Sequence, residues 1–456
     1  MTLMERAKDF LRRLAPGKPV QLGRGVRPWM LCLAFVASCS SVAPAFASDV
    51  TPTSRVSSSV VIRAQPTTAS PAIGKLSPGQ SLPEVASLPF WYEVRLPDGS
   101  RGYVSKAWTQ EVATEALVPT TGAPRFRIYA VDVGTGLSIL VTGKDFALLY
   151  DAGSNDDLAR GASNRVLAFL HKVRPDLSRI DHVILSHPHR DHVELLPDVI
   201  NSYQIGEVWD SGRVNPICGY RLFLQAIADH PSIVYHNAIA SDGQASAPLP
   251  QQSCYGKNYA AGPIAVHSAS QISMTPVRLG DGATMTFLHA DGRDLPSPNQ
   301  NSLVVRVDLG TRHLLLMGDA EAGGRADPSE TPKPASIEAD LLACCRAALK
   351  ADIMIVGHHG SRTSSRAAFL AAVGASDFIV SSGPTKYATV TLPDDVIISE
   401  LTALGHVWRT DRNDATCAHA TKIGPDNDGR AGGCENVEAD IDDSGQETVK
   451  YLELTD

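Results

Sequence analysis

Six consecutive residues of this chain, His187 to His192, contain three histidines and one aspartate. They stand in VILSHPHRDHVELL, directly after the apolar run Val183 to Leu185. Neutral imidazoles and carboxylates are the donors that suit zinc, manganese or iron. The run predicts a short strand ending at Ser186, with the polar cluster forming the turn into the next helix. Side chains alternate along extended backbone, so His187 and His189 point the same way. Asp191 and His192 then sit on the turn, aimed at a neighbouring position. One segment thereby serves two metal ions about 3.5–4 Å apart, the spacing of binuclear hydrolases. The plain alternative is a surface histidine cluster that binds nothing.

Two later segments supply what the cluster lacks. LVVRVDLGTRHLLLMGDAE reads as two strands joined at Gly310, ending in Gly318-Asp319. A carboxylate there is suited to bridge two ions. ADIMIVGHHGSRTSS places His358 and His359 after an apolar strand from Ile353 to Val356. Alone, a Gly-Asp turn is usually only a turn, and a histidine pair is often an exposed pair. Their order after HPHRDH argues for one site. Upstream, FALLYDAGS puts Asp151 at a strand end, where it would orient a ligand histidine from behind.

The elements that position these residues occupy about residues 126–423. The chain has 456 residues, enough for two cored domains, and is 43% hydrophobic with a formal net charge of −8. No global basic field exists, so a nucleic-acid substrate would need a local rim. Arg190, Arg306, Arg312, Arg362 and Arg366 are the candidates, with solvated surface the plainer reading for each.

Residues 1–47 read as a secretory leader: basic residues up to Arg27, the apolar stretch WMLCLAFVA, then Ala45-Phe46-Ala47 before Ser48. Cleavage after Ala47, lipidation at Cys39 and an uncleaved anchor are the three outcomes. All place the protein outside the cytoplasm, periplasmic or extracellular. The apolar stretch is too short for a stable transmembrane domain. Six cysteines follow the leader. Cys218 and Cys254 flank an insertion they can close, and Cys417 and Cys434 can clamp the C-terminal loop. Cys344 and Cys345 read as a buried thiol pair in a helix from Ile337 to Leu349.

Residues 48–115 read as a small all-β barrel, with Leu96-Pro97-Asp98-Gly99 turning a hairpin. Residues 116–125 are a linker. Residues 213–275 look like an insertion, either a lid or a passive loop. Residues 322–335 read as a flexible loop, and residues 424–456 as a partly disordered acidic tail. The tail superficially suggests calcium, but its spacing does not fit a calcium loop.

The segments VDVGTGLSILV (131–141), LLYDAGS (148–154), HPHRDH (187–192), VWDSG (208–212), NQNSLVV (299–305), LLMGDAE (315–321), VGHHGSRTSS (356–365) and VWRTD (407–411) resemble the metallo-β-lactamase superfamily. Within it they look most like the hydrolase domain of ComEC-type competence proteins. The resemblance implies an α+β fold, an αββα sandwich with metals at one edge between two sheets. It implies His187 and His189 on one metal, Asp191 and His192 on the other, Asp319 bridging, and one of His358 and His359 completing the second site. Asp191, His358 and His359 are the catalytic candidates, the spare histidine contacting the substrate's leaving group or phosphate. Asp210 lies near where many members place another ligand; a strand-end turn former is the alternative. Two departures stand out: Thr135 and Leu137 replace a polar pair, and KYATVTLPDD carries Tyr387 but no late histidine. The barrel, with Val61-Ile62-Arg63, Trp91-Tyr92-Glu93-Val94 and Gly102-Tyr103-Val104-Ser105, resembles bacterial Src-homology-3 modules, which bind cell-wall peptides or pack on a partner domain. Trp91, Tyr92 and Trp108 line a recognition groove or fill the barrel core, the core being favoured for Trp91.

These readings together imply an exported hydrolase with two divalent ions, Zn or Mn, and a metal-bridging hydroxide. Phosphodiesters, including nucleic acid, are the leading substrates. The alternatives are an envelope phosphoester (phosphorylcholine-like) or lactone or amide hydrolase, and a catalytically weak protein holding the cell wall through the barrel.

Overall fold

A computed structural model describes residues 48–96, 100–113, 125–157, 161, 164–239, 243–244, 248–387, 389–412 and 433–452. The expected leader, the turn residues 97–99, the linker up to residue 124 and Cys417 lie outside them. Among the described residues no helix is long and apolar enough to cross a membrane. The chain divides into two compact units between Val118 and Pro119.

The first unit is all β: β1 (Ser48–Pro52), β2 (Val60–Arg63), β3 (Ala72–Leu76), β4 (Leu82–Ser87), β5 (Trp91–Arg95), β6 (Arg101–Ser105) and β7 (Thr109–Ala113), in the order β3-β2-β6-β5-β4-β1-β7. The expected hairpin joins β5 to β6, in register from Trp91↔Ser105 to Arg95↔Arg101. Its core is Val50, Val60, Ile62, Leu76, Tyr92, Val94 and Val104. Strand alternation decides the aromatic question against the favoured reading. Tyr92 and Val94 point inward, so Trp91 points out and lines a groove of about 390 Å³ with Trp108 and Arg63.

The second unit has four layers. One sheet uses β8 (Phe126–Ala130), β9 (Ile139–Thr142), β10 (Ala147–Tyr150), β11 (Arg179–Leu185), β12 (Gln204–Asp210), β13 (Val234–Asn237), β14 (Gly243–Gln244), β17 (His267–Gln271), β25 (Val437–Ile441) and β26 (Glu447–Tyr451). Its order is β14-β17-β13-β12-β11-β10-β9-β8-β25-β26. A separate pair, β15 (Gln252–Cys254) and β16 (Lys257–Tyr259), precedes β17 in the chain. The other sheet runs β18 (Val277–Gly280), β19 (Ala283–His289), β20 (Val304–Leu309), β21 (Arg312–Leu316), β22 (Ile353–Ile355), β23 (Asp377–Val380), β24 (His406–Arg409), in that spatial order.

Apolar side chains of both sheets meet between them, with Ile128, Leu148 and Ile184 in one cluster with Met285, Val305 and Ile355. Helices cover the outer faces. Val166 and Phe169 of α1 (Arg165–Val173) and Phe223 of α4 (Cys218–Asp229) share a cluster with Leu149 and Val183. Short helices α2 (Arg190–Val193) and α3 (Leu196–Ser202) lie between these in sequence. Leu341 of α5 (Ile337–Cys344), Phe369 of α6 (Ala367–Val373) and Leu401 of α7 (Asp395–Leu404) pack with Leu315 and Met354. This is the expected αββα sandwich.

Several local expectations are corrected. The acidic tail supplies β25 and β26, with β25 paired to β8 from Val437↔Ala130 to Ile441↔Phe126. Asp132 anchors this return: its Oδ2 accepts the backbone N–H groups of Gly433, Cys434 and Glu435 at 2.6, 2.8 and 3.0 Å. The insertion is part of the main sheet through β13, β14 and β17 and adds α4. The loop at 322–335 is tied down by buried Arg366, whose guanidinium donates to the carbonyls of Gly324 and Ala326. Arg366 is therefore no surface residue. Cys344 and Cys345 form a disulfide between neighbours, where the sequence suggested free thiols. Cys434 is disulfide-bonded as well.

Cys218–Cys254 forms as expected and ties α4 to β15 across a separation of 36 residues. Closing a loop of that size limits the unfolded chain by roughly 4 kcal/mol in the chain-entropy model. The Cys218→Ser/Cys254→Ser variant is expected to lower unfolding stability by up to about that amount. Urea denaturation with and without reductant measures it; an unchanged midpoint would show that the crosslink contributes nothing.

Candidate metal centre

The loops after β10, β11, β21 and β22 converge. Their residues His187, His192, Asp191, Asp319 and His359 are all 5% exposed or less. Burying so many ionisable groups is costly unless something compensates them. The donor atoms fall into two groups, His187 with His192 and Asp319, and Asp191 with His192 and His359. In each group all atoms lie within 4.8 Å of one another. Asp319 joins the groups. Its Oδ1 is 3.2 Å from His192 Nε2 and 3.5 Å from His359 Nε2. Its Oδ2 is 3.6 Å from His187 Nε2. His189 Nδ1 extends the first group, 2.9 Å from His187 Nε2.

The other ring nitrogens are anchored. His192 Nδ1 meets Asp151 Oδ2 at 2.8 Å, the role expected for Asp151. His359 Nδ1 meets the Ser381 carbonyl at 2.8 Å, and His187 Nδ1 meets Ser186 Oγ at 3.1 Å. Each Nε2 is thus left facing the centre. Approach of the loops depends on Gly153, where a Cβ would sit 2.2 Å from His192 N.

The residues fit divalent ions. His192 Nε2, Asp319 Oδ1 and His359 Nε2 are buried without a hydrogen-bond partner. Buried polar atoms that converge on one point without hydrogen bonds are costly alone and are relieved by a cation. Burial holds His187 well below the usual imidazole range. Burial would also lower His192, but the Asp319 and Asp151 carboxylates hold it well above. Burial would raise Asp319, yet the neighbouring imidazoles of His192, His358 and His359 hold it well below the carboxylate range. An ion entering this centre displaces a proton.

The structure separates His358 from His359. Both are left-handed, at φ 50° and 53°, a conformation that costs about 1–3 kcal/mol at a non-glycine residue. The turn sends His359 into the second donor group. His358 instead places Nδ1 2.6 Å from Thr363 Oγ1 and 3.2 Å from Glu321 Oε1. Its Nε2 lies 3.3 Å from Asn299 Nδ2 and 3.7 Å from Asp319 Oδ2. His189, Arg190, Asn215, Asn299, His358 and Tyr387 line a cleft of about 430 Å³ over the centre. Of the five arginines considered for a basic rim, Arg190 lines this cleft, while Arg306 and Arg312 pair with Asp308 and Asp352.

Sequence reasoning missed Tyr387 and Asn155 as site residues. Tyr387 Oη donates to Asp191 Oδ2, and Asn155 Nδ2 donates to the same oxygen at 3.2 Å. Neither carries a metal-ligand pattern; only the histidine expected near Tyr387 hinted at the place.

Asp210 belongs to neither donor group. Its Oδ2 accepts from Tyr220 Oη and Tyr235 Oη at 2.8 and 2.9 Å, while buried Oδ1 has no partner. Burial pushes its carboxyl up to about 6. The folded state therefore binds this proton more tightly than the unfolded one, and stability from this group is lost as pH rises from about 4 through 6. Asp210→Asn keeps an acceptor for both tyrosines and carries no charge. It is expected to be about 2.5 kcal/mol more stable relative to wild type at pH 7.5 than at pH 4. Thermal denaturation of both proteins across that range reads the difference; parallel curves would contradict it.

Residues 131–383 match the family model described as Metallo-beta-lactamase superfamily, and residues 58–110 match that of the Bacterial SH3 domain. Curated relatives include "Recombination protein 2" of Haemophilus influenzae, 27% identical over 59% of this chain and 26% of that protein. "Competence protein ComA" of Neisseria gonorrhoeae is 26% identical over 55% of this chain and 26% of that protein. The chain thus spans about a quarter of the length of these relatives. Among solved structures, the metallo-beta-lactamase fold protein YhfI from Bacillus subtilis aligns at 15% identity and TM-score 0.34, covering 63% of this chain and 97% of that one.

Proposed function

The chain belongs to the metallo-beta-lactamase superfamily, and from that premise we propose that it is an exported two-metal phosphodiesterase that cleaves nucleic acid. Metal-dependent hydrolysis as such follows from the fold and its two clustered His/Asp donor groups. The finer reading rests above all on His358. Its Nδ1 is backed by Glu321 and Thr363, and its ring lines the cleft. A phosphodiester releases an alkoxide, which needs a proton as it departs. Arg190, Asn215 and Asn299 give the same cleft a polar, partly cationic wall suited to phosphate oxygens. The names of the competence and recombination relatives agree with a nucleic-acid substrate. The leader-like N-terminus motivates export.

Zn or Mn would be held by His187, His189, Asp191, His192, Asp319 and His359, and would supply an activated water and charge neutralisation. Asp319 holds the two donor groups together. Asp151 fixes His192 through Nδ1, leaving Nε2 as donor. His358 hands a proton from Nε2 to the leaving oxygen, and Glu321 stabilises the imidazolium that precedes transfer. The SH3-like unit is proposed to hold cell-wall peptide in the Trp91 and Trp108 groove. In a peptidoglycan pull-down of the whole protein, Trp108→Ala should lose retention if that is so.

The test is metal content together with hydrolysis of bis-p-nitrophenyl phosphate and single-stranded DNA, in Zn²⁺ or Mn²⁺, by protein beginning at Ser48. Two ions and cleavage of both substrates would support the proposal. Cleavage of the small diester alone would move the assignment to envelope phosphoesters. Two ions with neither cleaved would sink it.

A further inference from the structure

The loop after β8 and the segment leading to Tyr387 touch each other. Thr135, in the loop after β8, accepts the backbone N–H of Thr385 through Oγ1 at 2.8 Å. Thr385 Oγ1 donates to Asp156 Oδ1, and the N–H of Thr135 donates to Asp156 Oδ2 at 2.6 Å. Asp156 is 3% exposed and Thr135 1%. The loop is seated without a gap. A Cβ on Gly383 would lie 2.1 Å from Thr135 N and 2.2 Å from Gly134 C. Two residues beyond Thr385, Tyr387 is held in a bridge with Val390, their N–H and C=O groups exchanged at 2.8 and 2.9 Å. From there its hydroxyl reaches Asp191, and its ring lies nearly parallel to that of His359, at 17° with centroids 6.2 Å apart. Asn155, the neighbour of Asp156, donates to the same Asp191 oxygen. One short segment therefore grips both the ligand carboxylate and the loop that carries Tyr387.

We infer that Tyr387 is a positioning residue for Asp191, locked in place by a latch of Thr135, Asp156 and Thr385, and that this latch sets the ion affinity of the Asp191–His192–His359 donor group. The inference rests on the two-ion reading of the centre. A carboxylate ligand must be held at one angle to serve a small cation, and donors to it that are not themselves ligands do that holding. Tyr387, delivered by a latched loop, thus stands directly beside Asp191.

The experiment is a competition titration of the whole protein with Zn²⁺ against a chromophoric chelator, beside the thermal midpoint of the ion-free protein. Wild type is expected to bind two ions. Tyr387→Phe should weaken one of them by about tenfold or more, leave the other unchanged, and leave the ion-free midpoint unmoved. Thr385→Val should weaken the same ion by a smaller factor, and Thr385→Ser, which keeps the hydroxyl, should restore wild-type affinity. The double variant Tyr387→Phe/Thr385→Val should match Tyr387→Phe alone, because the latch acts through the tyrosine. Wild-type affinities in Tyr387→Phe would overturn the inference, as would a Thr385→Val effect that adds in full to that of Tyr387→Phe. Wild type binding fewer than two ions would overturn the two-ion reading and the inference with it, and is distinguishable because it appears before any substitution.

Discussion

Asp319→Asn is expected to lose both ions at once while the fold survives. One oxygen of this carboxylate faces His192 and His359, and the other faces His187. No other residue among those described joins the two donor groups through separate oxygens. Asparagine keeps the size but offers a neutral amide, and half of that amide is a donor aimed at lone pairs. Losing a partner behind a ligand costs roughly 10–100-fold in metal affinity or activity. Losing the bridge itself should cost more than 100-fold in turnover, and elemental analysis should find less than one ion per chain. Asp191→Ala, by contrast, touches one donor group and should retain an ion in the other. Circular dichroism separates these outcomes from unfolding. Two ions and wild-type turnover in Asp319→Asn would show that the centre has been misplaced.

A chain ending at Gly432 is expected not to fold. It loses β25 and β26, and with them Val437, Ala439 and Ile441, which are at most 1% exposed. Burying the valine and isoleucine alone is worth about 1.5–3 kcal/mol each. Asp132 also loses three backbone donors, each worth about 1.5–3 kcal/mol to a buried carboxylate. The sum, on the order of 10 kcal/mol, matches the entire stability of a typical domain. Expression with far-ultraviolet dichroism and thermal denaturation checks it. A soluble truncated protein with the wild-type midpoint would mean that the tail strands are ornamental.

The metal centre was legible because its residues are crowded in sequence at strand ends. HPHRDH, Gly318-Asp319 and Gly357-His358-His359 each follow an apolar run, and strands with such runs became β11, β21 and β22. What chain order could not convey was geometry that depends on contact. Choosing between His358 and His359 requires the left-handed turn that sends adjacent rings apart. Tyr387 acquires meaning only by reaching Asp191, a residue 196 positions earlier. Trp91 and Tyr92 are consecutive, so strand alternation puts one of them inside without saying which; the packing of Tyr92 and Val94 into the barrel core decides. The tail was a different failure. Val437, Ala439 and Ile441 alternate as a strand should, but the acidic residues among them and beyond weighed more heavily than their period. The Ala- and Ser-rich composition of 213–275 hid α4 in the same way.

The pairing of β25 with β8 also fixes when the molecule can be finished. The opening strand of the hydrolase unit meets its outer partner only after roughly 300 further residues have been made, a separation that slows folding. At about 5–20 residues per second, translation alone imposes a delay of roughly 15–60 s. Through that interval the outer edge of β8 has no native neighbour, and an unpaired edge is where foreign strands add. The hydrolase unit therefore completes its large sheet only after β25 has been made, which makes holding that edge apart from other chains a requirement of its birth rather than of its mature life.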